Sequence, residues 1–141
     1  MGELYDADVL EWSEHQARLL RQHAAGERTN EAPDWANIIE EVESVGREQL
    51  RSVEGLLLQA LVHDLKAEAW PLTVDAARWR ADAKLFRAQA SLRFAASMRQ
   101  RLDLDKLYAK ALQAMPDTID GQPPLPVPTM CPVTLDELLG E

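Results

Sequence analysis

The sequence predicts an all-α protein: a bundle of about four helices, then a proline-rich strap and a short C-terminal docking helix. Three observations carry this. Apolar residues recur at spacings of three and four, which keeps them on one side of a 3.6-residue period, and no strand period fits. Only six glycines occur, and the eight prolines gather mostly near the C-terminus, which favours a helical body with an irregular tail. Helix-starting chemistry stands where the period begins: Asp6, Asp34, Asp103 or Asp105, and Thr134. At 141 residues the chain is long enough for one domain with a core and short for two, so a single helical domain, 1–141, is expected.

A first helix is expected from Asp6 to about Ala24, with Val9, Trp12, Gln16, Leu19, Leu20 and His23 in phase. Gly, Asn, Thr and Pro between Ala24 and Pro33 make a loop. The second helix opens at Asp34. Its apolar side runs through Trp35, Ile38, Ile39, Val42, Val45, Gln49, Val53, Leu56, Leu57 and Ala60, and reads as the ridge on which the other helices lie. Unbroken to Trp70, before Pro71, it would span ~50 Å at 1.5 Å per residue. A bend is therefore expected, with Gly46 and Gly55 as its candidate points, and Gly46 suits the close approach of another backbone. The run from Leu56 to Leu65 suggests burial on nearly all sides.

A third helix is expected from about Asp75 to Arg101, with Trp79, Ala83, Phe86, Ala90 and Phe94 on one side and a second, weaker apolar line through Leu85, Leu92 and Ala96. Two lines imply two neighbours, one of which can be a second copy of the protein. A short fourth helix holds Leu107, Tyr108, Ala111, Leu112 and Met115 and closes at Pro116. Prolines 123, 124, 126, 128 and 132 make 116–133 an extended strap. Thr134 and Glu137 fit a capping box, and Val133 with Leu138 the accompanying hydrophobic staple, so a last helix over 134–139 should dock back on the bundle.

The net charge of −9 disfavours nucleic acid as a partner, because phosphate attraction needs a basic surface. The sign is uneven, however. Residues 76–110 hold nine Lys or Arg against three Asp, a local +6, so the rest carries −15. An acidic and a basic half should then lie against each other, within one chain or across a dimer. The single cysteine, Cys131, excludes an internal disulfide and a metal-binding cysteine pair. It reads as a small buried apolar group. No signal peptide and no apolar run of ~18 residues is seen, so no membrane partner and a cytoplasmic setting are expected.

The candidate polar residues are Glu40, Glu43, Arg47 and His63. Glu40, Glu43 and Arg47 share a helix flank, where carboxylates can take a metal or simply pair with arginine. His63 sits among Leu61, Val62 and Leu65, where burial can tune an imidazole for acid or base work, although such histidines more often donate to a backbone carbonyl. Glu11 and His15, at i,i+4, form another possible pair. Trp12, Trp35, Trp70 and Trp79 read mainly as core rather than as a ligand pocket. No phosphate loop, nucleophile elbow or zinc-protease pattern is present, and no cofactor is expected.

Together YDADVLEW at Tyr5, DWANIIEEVESVGR at Asp34, the His63–Lys66 segment, Trp79–Arg80 and the closing CPVTLDELL at Cys131 resemble the bacterial family catalogued as domain of unknown function 29. That resemblance covers nearly the whole chain and implies an all-helical domain, with no activity attached. Asp64 and Ala67 depart from the family's usual leucine and tryptophan. Function is therefore not assignable from the sequence. The favoured expectation is a small protein-interaction module that self-associates through the second line of the third helix. The alternatives are a metal- or small-ligand-binding enzyme built on Glu40, Glu43 and His63, and nucleic-acid binding through 78–110.

Overall fold

The computed structural model describes residues 2–140, which are mostly helical. Among the described residues there are six α-helices: α1 (Gly2–Ala7), α2 (Val9–Ala24), α3 (Trp35–Ala69), α4 (Ala76–Arg93), α5 (Leu104–Gln113) and α6 (Leu135–Leu139). A single 3-10 turn stands at Ala96–Met98. The chain forms two compact units, Met1–Arg47 and Glu48–Glu141.

In the N-terminal unit Asp8, rather than Asp6, starts the first long helix. Its carboxylate accepts the Glu11 N–H at 3.0 Å, and its non-helical backbone separates α1 from α2. The expected single helix from Asp6 is thus two helices, because a short carboxylate side chain competes for backbone N–H groups and favours a cap over a helix interior. Trp12, Gln16 and Leu19 form the buried side of α2. Asp34 stands immediately before α3, as its capping chemistry requires.

The apolar ridge of α3 has the period expected of it but not the burial. Trp35, Ile39, Val42 and Val45 are 44%, 54%, 68% and 63% exposed, so this first part is no keel for the rest. The helix assignment is unbroken through Gly46 and Gly55. The space where a Cβ would stand at Gly46 is empty to 4 Å, so no backbone approaches there and that expectation is corrected too.

From Val53 onward α3 is a core helix. Val53 and Leu57 are fully buried, and Leu61 and Leu65 continue their line. They pack with Ala90 of α4, Met98, the α5 residues Leu107, Tyr108 and Ala111, and Leu138 and Leu139 of α6. A second cluster gathers Ala67, Ala69, Trp70, Ala76 and Trp79 where α3 stops before Pro71 and α4 begins.

The third helix ends at Arg93, not Arg101. Phe94 turns extended, and the 3-10 turn that follows buries Met98 in the main cluster while Phe94 packs against it. Burial of those two side chains outweighs continued helix, with no glycine or proline to announce the stop. Asp103 caps α5 by accepting the Lys106 N–H at 3.1 Å. Thr134 Oγ1 accepts the Glu137 N–H at 3.1 Å, α6 packs on α4, and Gly140 closes α6 in the left-handed region at φ 77.

The strap is tied down along its length. Asp120 and Gly121, at φ 52 and 74, form the two-residue turn that closes the Ile119–Gln122 bridge. The Trp70 indole donates to the Gln122 carbonyl at 2.9 Å, the Leu125 N–H to the Ala69 carbonyl at 2.9 Å, and the Tyr108 hydroxyl to the Pro128 carbonyl at 2.6 Å. Beyond that bridge, these backbone groups of the strap are satisfied by the helices beneath it.

Candidate functional site

The polar candidates divide between the two units. In the N-terminal unit Arg47 gathers both glutamates, with Glu40 at 2.6 Å and Glu43 at 3.8 Å, and all three side chains are roughly half exposed. Such an exposed network contributes little to stability. His63 belongs to the C-terminal unit and Glu40 to the N-terminal one, and both stand on α3. Its Nδ1–H donates to the Gln59 carbonyl at 2.7 Å, one turn back, and its ring lies 5.2 Å from that of Phe86. Glu11 and His15 do not pair with each other. His15 Nε2 bonds to Glu31, and its Nδ1 accepts from Arg18 at 3.3 Å. Among the described residues no group of three His, Cys, Asp or Glu is placed to hold a metal ion.

Two features of the N-terminal unit stand out. The first is a buried polar hub. Asp34 Oδ2 accepts from the Trp12 indole at 3.0 Å and from Asn37 Nδ2 at 2.7 Å, while the Asp34 N–H donates to Gln16 Oε1 at 2.7 Å. Beside it Tyr5 donates to Glu41 and sets its ring edge-on to Trp12 at 4.7 Å; that carboxylate and burial push the phenol above its ordinary range. The second is the uncovered apolar side of α3. Next to it a groove of about 250 Å³ runs between α2 and α3, lined by Trp12, Ala17, Leu20, Ile38, Val42 and Val45.

In the C-terminal unit the sequence departure at Asp64 acquires a reason. Asp64 Oδ2 accepts from Arg87 at 2.6 Å across to α4. Burial pushes its carboxyl above the ordinary range, and Arg87, His63 and Arg80 pull against that. Asp64 also lines a cavity of about 380 Å³ with Glu68, Arg80 and Tyr108, over a floor that includes Leu61, Leu65 and Val133. Sequence reading missed this grouping. Its available signal was the pair of carboxylates at 64 and 68, one helical turn apart. Of the tryptophans expected in the core, Trp12, Trp70 and Trp79 are buried, whereas Trp35 is partly exposed with its ring 5.5 Å from His23. Cys131 is half-buried, its thiol 3.3 Å from the Val133 carbonyl.

The family described as domain of unknown function DUF29 matches residues 4–141. The chain belongs to the DUF29 family. The DUF29 chain is also similar to an alpha-helical protein of unknown function from Rhodospirillum rubrum ATCC 11170, known from its crystal structure. The two are 26% identical, the match covers 97% of this chain and 89% of that one, and the TM-score is 0.69. Comparison with curated proteins yields no match. The helical fold is thus shared, and no assignable activity comes with DUF29 membership. Among the described residues of the DUF29 chain no helix is long and apolar enough to cross a membrane.

Proposed function

We propose that the protein is a small cytoplasmic interaction module whose partner is a second copy of itself. The supporting observation is a pair of uncovered apolar faces of opposite charge. On α3, Trp35, Ile39, Val42 and Val45 stand in water on a unit with eleven acidic residues against four basic ones. On α4, Leu85 and Leu92 are 56% and 88% exposed on a helix carrying five Lys or Arg against one Asp. Apolar stretches uncovered on a soluble surface mark contact sites, and charge complementarity selects which face meets which. Two copies of the acidic face repel each other, so the favoured contact joins the acidic α3 face of one copy to the basic α4 face of the next. That is a head-to-tail arrangement. The free Cys131 thiol is in keeping with a reducing compartment.

The other readings have less support. Within the basic stretch Arg78 pairs with Asp75, Arg87 with Asp64 and Arg99 with Asp136, which leaves less charge for phosphates. The glutamates of an enzyme reading are engaged by Arg47, and the His63 Nδ1–H by Gln59.

Light scattering across micromolar concentrations tests the proposal. The mass should rise with concentration and fall with salt. Val42→Glu and Leu92→Glu, both at exposed positions, should each be folded and monomeric. Mixed in equal amounts they should form a 1:1 dimer, because each keeps one intact face. A wild type monomeric at all concentrations, or a mixture that stays monomeric, overturns the proposal.

A further inference from the structure

The 380 Å³ cavity of the C-terminal unit lies at the small end of ligand pockets, which run to roughly 300–1,000 Å³. Its floor is apolar, from Leu61, Leu65, Pro132 and Val133. Its polar groups are unequally engaged. Asp64 is neutralised by Arg87 at 2.6 Å, and the Tyr108 hydroxyl proton goes to Pro128. Glu68 and Arg80 remain. Among the described residues Glu68 has no hydrogen-bond or ion-pair partner, and Arg80 reaches only the Ala67 carbonyl, at 3.5 Å, with no carboxylate within 4.0 Å.

The Arg80 guanidinium and the Glu68 carboxylate border this one cavity without forming an ion pair with each other. The complementary object carries both charges at one end and an apolar group at the other. A lone cation would meet Arg80, and a lone anion would meet Glu68. We infer that this cavity binds a small zwitterion with an apolar substituent, of the class of an α-amino acid. Its carboxylate takes the forked donors of Arg80, its ammonium takes Glu68, and its side chain covers Leu61 and Leu65. This inference stands apart from self-association.

Three probes of one shape separate the charges: L-leucine, 3-methylbutylamine, which lacks the carboxylate, and 4-methylpentanoate, which lacks the ammonium. Titration calorimetry on the whole chain should show leucine binding at least about tenfold more tightly than either analogue. Arg80→Gln should abolish the preference over the amine, and Glu68→Gln the preference over the acid. Both positions are exposed, and a melting curve without ligand checks that each variant folds. Failure of leucine to bind at millimolar concentration, equal binding of all three probes, tighter binding of a singly charged analogue, or leucine binding indifferent to both substitutions overturns the inference.

Discussion

The indole N–H of Trp12 donates to Oδ2 of Asp34 at 3.0 Å, which ties the buried side of α2 to the residue that opens α3. Asn37 holds the same carboxylate below its ordinary range, aided by the Trp12 indole and the Asn37 backbone N–H and opposed by burial. A carboxyl whose folded pKa is depressed contributes stability above its unfolded value, here 3.8, and that contribution is lost as pH falls through the folded pKa. Melting temperature should therefore drop on acidification below about pH 4 more steeply for wild type than for Asp34→Asn, which has no charge to lose. Parallel curves would remove the hub from the account of acid stability.

Burial along α3 predicts two very different alanine substitutions. Leu57 is fully buried, so Leu57→Ala should cost about 2–5 kcal/mol in urea unfolding. Val42 is 68% exposed, and Val42→Ala should stay within about 0.5 kcal/mol. Similar costs at the two sites would mean that the first part of α3 is covered after all.

For Asp64 the sign is reversed. Burial raises its carboxyl, so its stabilising contribution is present below the unfolded value of 3.8 and is lost as pH rises through the folded pKa. Measured against Asp64→Asn, wild type should be relatively most stable in acid, and its disadvantage should grow and then level off as Asp64 ionises. Arg87→Gln removes the 2.6 Å partner of that charge and should enlarge the loss at neutral pH. A difference between wild type and Asp64→Asn that does not vary with pH would refute the raised carboxyl.

Glycine positions separate by backbone conformation. Gly46 lies in a helix interior with open space around it, so Gly46→Ala should stabilise by about 0.5–1 kcal/mol. Gly140 stands at φ 77, where a side chain meets the following carbonyl, and Gly140→Ala should destabilise by about 1 kcal/mol. Thermal melts of the two variants should move in opposite directions.

Much of this fold is legible in the sequence, because its signals are local. Asp34, Asp103 and Thr134 start helices by bonding backbone N–H groups at most three residues away, and Pro71 follows the end of α3 by forbidding its continuation. Period, composition and the motifs around Asp34 and Cys131 were likewise enough for the helical class and the family. The start of α2 was misplaced by two residues, since Asp6 and Asp8 offer the same capping chemistry and only the backbone at Asp8 leaves the helix.

What tertiary structure alone decided is which surfaces meet. An apolar stripe says that a helix has a side to cover, not that anything covers it: Val53 and Val42 are the same residue type in the same helix, one fully buried and one in water. The end of α4 was set by the packing of Phe94 and Met98 in the main cluster, and the pairing of Asp64 by an arginine 23 residues away. Glu68 and Arg80 border one cavity only because α3 and α4 pack together, a proximity that their spacing in the chain does not encode. Local bonding is written in neighbouring residues, whereas coverage depends on which distant segment arrives, and that is settled by packing of the whole chain.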